Sequence, residues 1–479
     1  MTTLTENTAE LQRELGLPSA ICLIISDMLG SGIFVSAASV LENTGSVSMC
    51  LVLWVLCGLI SLLVSLSYAE LATVVNKSGG DFSYYQTAFG SVHKFWGPLP
   101  SFVNSWVIIM CAYPAGVAIT MMTFAQHVVE PLGMWLFLDP STEYALKKAV
   151  TIMSIGIITL INYSSVKNFI KIQFVFTTCK VVACVLVIGG GMYQLYKGNT
   201  DNLMTGFEGT TLTIKSLPVA MYSCLWAFSG GEAAAIVVEE IKNPQRNVLL
   251  SILLALPFIT LIYVLMNVSY MTVLSKSEMI STSTVAIKFG SHVLGGLTFV
   301  IPLTVAVSTF SNALSSQFEA TRMCMVTSRE GHMLNAFSYV SVKKLTPTPA
   351  VLLQGLLTFI CCLICEDIIK LIEFTSFLFW VFTGLSVVAL LVMRRTKKDV
   401  KRPFKLPIVV PVIILVVCAI LFLTPIISEP KPQYLVALVL VFSALPLYVP
   451  FVYLKKRWSI VDGFNQFVRN SMGVALPEN

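Results

Sequence analysis

Long apolar runs separated by short polar stretches recur along the whole chain. They fall at about 18–41, 47–75, 98–130, 146–164, 169–195, 213–238, 248–274, 290–326, 349–365, 368–393, 408–427 and 433–454. A helix needs about 20 apolar residues to cross a hydrocarbon layer. Because lipid offers the backbone no hydrogen-bond partners, a lone apolar segment must satisfy its own N–H and C=O groups as a helix. The pattern therefore predicts an all-α polytopic membrane protein with twelve transmembrane helices, of which 349–365 is the shortest. Polar stretches mark a tail at 1–17, a basic loop at 394–407 and a tail at 455–479. Spans 1–10 would form a core at 18–393, with spans 11 and 12 beside it at 408–454.

Composition agrees. The 479 residues are 56% hydrophobic and 12% charged, about half the charged share of a soluble protein, so lipid is a principal partner. The formal charge of +6 is explained by position. With both ends inside, "RRTKKDVKRPFK" (394–405) puts seven basic residues on one face. Lys77, Lys167, Arg322, Arg329, Lys343, Lys344 and Lys455-Lys456-Arg457 join them. The opposite face receives "DPSTEY", "KGNTDN", "EDIIK" and "EPK", which are balanced or acidic. Basic residues stay on the cytoplasmic side, so cytoplasmic termini are expected and no nucleic-acid partner is implied. No basic segment leads into a short apolar core with a cleavage site, so span 1 would itself direct insertion.

The twelve cysteines sit within or beside apolar runs, as small packing residues do. The cluster Cys361, Cys362, Cys365 has no polar surroundings to support a metal. His93, His127, His292 and His332 show no ligand spacing. No catalytic constellation, cofactor or metal is expected, and no ring of charge suggests an ion channel.

Two spans are interrupted. "ICLIISDMLGSGIFVSAASVL" (21–41) carries Gly30-Ser31-Gly32 with Asp27 beside it, and "CLWAFSGGEAAAIVVEE" (224–240) carries Ser229-Gly230-Gly231 followed by Glu232. Each glycine weakens a helix by about 1 kcal/mol relative to alanine, and a carboxylate at mid-span costs about 3 kcal/mol on insertion scales. These are the first and sixth of twelve spans. They correspond if spans 1–5 (about 18–195) and 6–10 (213–393) are repeats, inverted because span 1 and span 6 run in opposite directions. Paired breaks at matching positions point to a transporter's substrate site. Freed amides at a half-helix N-terminus suit a carboxylate, and freed carbonyls suit an ammonium. An amino acid carries both.

"GSGIFVS", "YAELATVVNKSGGDFSYY" (68–85), "EEIKNPQRN" (239–247) and "SREGHMLNAFSYVSVKKLTPTPAV" (328–351) resemble the L-type amino acid transporter family. These are the light subunits of heteromeric amino acid transporters, within the amino acid–polyamine–organocation superfamily; the likeness is greatest to the cystine and dibasic light subunit. The resemblance implies a LeuT-like five-plus-five inverted repeat with discontinuous helices 1 and 6. It also implies sodium-independent amino acid transport, often by exchange, at the plasma membrane. By the family pattern, amides at Ser31, Gly32 and Ile33 would meet the substrate carboxylate. Carbonyls near Met28 and Leu29, flanking Gly30, and near Trp226, Ala227 and Ser229 would meet its ammonium. Trp226 would gate the site. Lys180, buried in "FVFTTCKVVACVLVI", matches a lysine that stands in for sodium. Tyr113, Phe228, Gly231 and Asn312 complete the expected side-chain pocket.

Four departures from the family shape the expectation. The stretch 127–148 between spans 3 and 4 has no cysteine, so no disulfide-linked heavy subunit is expected, although a noncovalent partner fits. Ser229 replaces the aspartate of the dibasic-specific relative, and Gly231 replaces a bulky tryptophan, which favours large neutral amino acids in a roomy site. Asp27 and Glu232 replace uncharged residues. They read as structural charges, with Asp27 paired to Lys180; as selectivity groups for cationic substrates; or as proton carriers. A non-transporting amino acid sensor on the same fold is the remaining alternative.

Overall fold

In a computed structural model of the chain, the structure describes residues 15–75, 79–164, 166–236, 238, 241–282, 284–293, 295, 299–341, 344, 346–365, 367–428, 430–456 and 458–475. Most of the 1–17 tail, Lys77, Glu239-Glu240, Lys343, Glu366, Glu429, Arg457 and the last four residues lie outside these, as does the side chain of Lys167.

All twelve expected runs coincide with helix. Span 1 is two helices, 1a (Leu17–Met28) and 1b (Gly32–Thr44), bent by 52° at the break. Span 2 is Val47–Val74, span 4 Pro140–Ser164, span 5 Val166–Tyr196 and span 7 Pro244–Val273. Span 3 runs from Leu99–Val107 through a π turn at Ile108–Ala112 into Tyr113–Leu136. Span 6 comprises 6a (Ser216–Ala227) and 6b, which begins with Ala233–Ile236. Spans 8 to 11 are Val300–Arg329, Thr348–Ile364, Ile368–Thr396 and Val409–Ser428. Span 12 is Pro432–Tyr448, extended by a π turn Val449–Tyr453. By length and apolarity, eight of the described helices qualify as membrane-crossing, or nine with the bent pair joined. Spans 6 and 9 are short, and span 8 is too polar to pass because much of one face is turned to the interior.

The connection between spans 3 and 4 is far shorter than the 22-residue stretch expected. Helix continues to Leu136 and resumes at Pro140, leaving Phe137, Leu138 and Asp139. Phe137 closes the first helix in the left-handed region (φ 52°). Asp139 opens the second, accepting hydrogen bonds from the Thr142 amide (3.1 Å), the Thr142 hydroxyl (2.7 Å) and the Ser141 hydroxyl. Those donors, Ser141 first, hold its carboxyl well below the usual carboxylate range. Span 8 also starts later than expected, because 285–293 forms its own short helix, Val285–Val293.

Span 1a packs on span 7, 1b on 6a, and span 3 on span 8; spans 5 and 7 close the back. Of the eight long apolar helices, span 3 is the most enclosed, with 67% of its apolar stretch buried, whereas span 12 has 17% and stands at the edge of the bundle. Span 10 is fastened at both ends. At its start Glu373, 3% exposed, accepts from Tyr434 Oη (2.8 Å), Gln433 Nε2 (2.8 Å) and Lys431 Nζ (3.2 Å) of span 12 and its approach. At its end Arg394 forks onto the fully buried Glu70 of span 2 (2.8 and 2.5 Å), and Arg402 reaches the same carboxylate at 3.4 Å. The Leu406 amide completes the cage at 2.9 Å. Two of the seven basic residues of 394–405 are therefore turned inward, and Arg395, Lys397, Lys398, Lys401 and Lys405 remain exposed.

Candidate binding cavity

The break in span 1 follows from its residues. Helix 1a ends at Met28, Leu29 leaves the helical region (ψ 68°), and 1b starts at Gly32. Phe34 and Val35 return their amides to the Ser31 carbonyl (3.1 Å each). The amides of Ser31, Gly32 and Ile33 are then those a helix start leaves without an intrahelical acceptor. Glycine at 32 is required by contact: a Cβ there would lie 2.3 Å from Cα of Ala227. The two broken spans thus cross backbone to backbone at Gly32 and Ala227. At the second break the requirement is conformational as well, since Gly230 has φ +100° and a Cβ would fall 2.4 Å from the Asp27 carboxylate.

Freed carbonyls at both breaks meet buried donors. Tyr263 of span 7 directs its hydroxyl to the Met28 carbonyl (2.6 Å) and the Ala227 carbonyl (2.9 Å), so one proton is shared between the two breaks. Ser308 donates to Leu29 O (3.4 Å) and Ser61 to Phe228 O (3.2 Å). Lys180, 1% exposed, gives its ammonium to Ser26 O at 2.7 Å. Of the readings of Asp27, direct pairing with Lys180 is loosened: among the described residues no ion pair within 4 Å joins them, and the ammonium goes to the end of helix 1a, where helical carbonyls accumulate negative potential, while staying near enough for its charge to act on the Asp27 carboxyl.

Between the breaks lies a cavity of about 190 Å³. Of the residues singled out from sequence, Asp27, Met28, Ser31, Gly32, Tyr113, Trp226, Phe228, Ser229, Glu232 and Asn312 line it. Leu29, Gly30, Ile33, Ala227, Gly231 and Lys180 stand behind the wall. Gly231 backs onto span 2, where a Cβ would meet the Ser65 hydroxyl at 2.3 Å, so it adds no room for a substrate. Gly30 lies against the Asn312 amide, 1.8 Å from where a Cβ would sit.

Span 3 reaches the cavity through its π turn. Pro114 has no N–H and crowds the carbonyl one turn back. The helix widens ahead of it, Tyr113 N–H bonds Ile108 O, and Gln354 of span 9 donates to the Ile109 carbonyl (2.9 Å). Ala112 and Tyr113 face the cavity as a result. Trp226 lies over Gly116, and Phe228 packs on Trp54 and Tyr263 with ring centroids 5.9 and 5.0 Å apart.

The wall also holds residues the sequence reading missed: Ser61, Ser65, Gly116, Thr120, Ser316, Glu319, Phe379, Trp380 and Thr383 among them. Glu319 matters most. Asp27, Glu232 and Glu319 put three carboxylates on a wall that, among the described residues, carries no Lys, Arg or His. Among the described residues no ion pair within 4 Å reaches any of the three. Ser31, 1% exposed, adds a buried hydroxyl without a hydrogen-bond partner in the structure.

This arrangement can hold a small zwitterion by its backbone charges between two half-helices, with acidic and aromatic groups around its side chain. The amino acid permease family model matches residues 15–452. The chain is 38% identical over 452 residues to b(0,+)-type amino acid transporter 1 of Mus musculus, covering 94% of this chain and 90% of that one. It is 34% identical to the cystine/glutamate transporter of Homo sapiens (95% and 88% covered). It is 32% identical to large neutral amino acids transporter small subunit 2 of Mus musculus (96% and 84% covered).

Proposed function

Because the chain belongs to the amino acid permease family, we propose that this transporter is a sodium-independent exchanger of L-amino acids working by alternating access around the cavity between its two breaks. Spans 1–5 and 6–10 are read as the inverted repeats, the termini as cytoplasmic and the membrane as the plasma membrane. The Lys180 ammonium on Ser26 O supports sodium independence, since a fixed cation already occupies a carbonyl of the last turn of helix 1a, beside the break. The relatives' names include a small subunit. With no cysteine in 127–148, a partner of that kind would bind this chain noncovalently.

One observation carries the substrate class: Asp27, Glu232 and Glu319 share a wall whose described residues include no basic side chain. It favours cationic side chains over the large neutral ones that Ser229 and Gly231 suggested, and it opposes anionic ones. Aromatic Trp226, Phe228 and Trp380 add faces that attract cations. The test is counterflow in proteoliposomes with arginine, leucine, phenylalanine and glutamate as competitors, in sodium and in choline, with and without internal amino acid. Arginine should compete best and glutamate least, and Glu319→Gln should weaken arginine roughly tenfold or more while sparing leucine, given what a hydrogen bond to a charged group contributes. Leucine or phenylalanine outcompeting arginine would restore the neutral reading. Binding without flux would make the protein a sensor.

A second reading, proton symport, draws on the same carboxylates, which form no ion pair within 4 Å among the described residues. It requires inward current with a neutral substrate at acid pH.

A further inference from the structure

The C-terminal helix Ser459–Met472 has three faces. Asn465, Val468 and Met472 point toward the connection between spans 8 and 9. Asn465 Oδ1 accepts from the Ala336 amide there (2.9 Å), and Val468 and Met472 pack on Ala336 and Tyr339. Past the helix, Val474 and Ala475 pair antiparallel with Ser341 and Val340. Asp462, Gln466, Arg469 and Asn470 form a polar face. The third face is apolar: Ile460, Phe464 and Phe467 are spaced i, i+4, i+7, with Ile460 and Phe467 79% and 66% exposed and Phe464, edge-on to Phe337 at 6.3 Å, 39% exposed.

Where the chain places this helix decides what covers that face. Span 12 ends at Tyr453, and the helix begins at Ser459. Trp458 stacks on Phe451 at the span's end, with centroids 6.1 Å apart and planes 22° apart. The helix therefore starts beside the end of a lipid-facing span. The same end carries a girdle of amphipathic groups. Trp96 is 63% exposed, Phe95 packs edge-on against Tyr453 (5.1 Å), and Lys94 lies over the Tyr453 ring at 5.9 Å. Lys455 and Lys456 are exposed between span and helix. Aromatic rings and lysines at one level mark a bilayer interface, and a helix with one apolar and one polar face at that level lies in the interface plane.

We propose that the C-terminal helix is an in-plane membrane anchor that sinks Ile460, Phe464 and Phe467 into the adjacent leaflet while Lys94, Lys455 and Lys456 hold anionic lipid headgroups. Its opposite edge stays strapped to the connection after span 8, so headgroup charge acts on an element that leads directly from a span of the cavity wall.

The full chain in nanodiscs tests this, with a nitroxide at Phe467→Cys or Gln466→Cys and the unsubstituted protein as background for native cysteines. At position 467, collisions with oxygen should exceed collisions with an aqueous nickel chelate; at 466 the order should reverse. A water-exposed 467 overturns the proposal. So does a 467 shielded from both probes, which would mean a protein partner or a second copy covers the face. In parallel, Lys455→Gln/Lys456→Gln should lose retention of phosphatidylserine over phosphatidylcholine by about fivefold per lysine, and unchanged retention overturns the headgroup assignment.

Discussion

Tyr263 is the residue on which the two breaks depend together. Its hydroxyl serves carbonyls from both broken spans, at 2.6 and 2.9 Å. Tyr263→Phe keeps the ring, and so its packing on Trp54 and Phe228, but leaves two buried acceptors without this donor. The expected loss is about 1–3 kcal/mol of stability, read as a lower melting temperature, with exchange flux reduced by more than the folded fraction. An unchanged melting temperature and flux would show that the breaks are held by other means. Residues such as Tyr263 are not legible in a sequence, because a tyrosine in an apolar run looks like packing until its partner carbonyl is known. Glu319 was legible and overlooked. Asn312, Ser316 and Glu319 recur at i, i+4, i+7 along one face of span 8, and a polar stripe on a membrane helix marks a face turned to water or protein.

At the scale of elements, each apolar run falls on helix, and eight described helices, or nine with the bent pair joined, are long and apolar enough to cross a membrane, because burial in lipid forces apolar composition. Hydropathy failed between spans 3 and 4, where helix runs through 131–136 on one side and the polar 140–144 on the other, and where a single proline reset the helical repeat, as at Ile108–Ala112. The connection after span 8 illustrates a different limit. His332 is 6% exposed, lies edge-on to Phe82 (5.0 Å) and touches Gln86 (3.3 Å). Burial pushes it down from the usual histidine value near 6.5 to about 4. The unfolded chain takes up this proton from pH 6.5 downward, whereas the folded chain resists until about 4. Stability is therefore full above 6.5 and declines as pH falls through that window. Melting temperature against pH should show this decline, and His332→Gln should flatten it. A slope unaltered by the substitution would assign the effect to other groups.

For the whole molecule, the Glu70 cage joins span 2 to the end of span 10 and the loop leading to span 11. Removing the carboxylate in Glu70→Ala strands Arg394 and Arg402 with only backbone acceptors. Losing one member of a buried pair costs about 3–5 kcal/mol, so the variant should melt well below the parent, with Glu70→Asp recovering part of the difference. Equal melting would make the cage dispensable. The donors at the first break carry a consequence for how the protein is made. Met28 lies 235 residues ahead of Tyr263 in the chain, and Ser26 lies 154 ahead of Lys180. At ribosomal speeds of about 5–20 residues per second, roughly 10–50 seconds separate Met28 from its tyrosine. During that interval the nascent first span sits in or near the translocon with its Met28 carbonyl held only by the local Gly30 N–H (2.7 Å) and its long-range donor still to come. Its maturation is set by the arrival of span 7, so a chain stopped before Tyr263 should be a poor substrate for release into lipid and a good one for quality control.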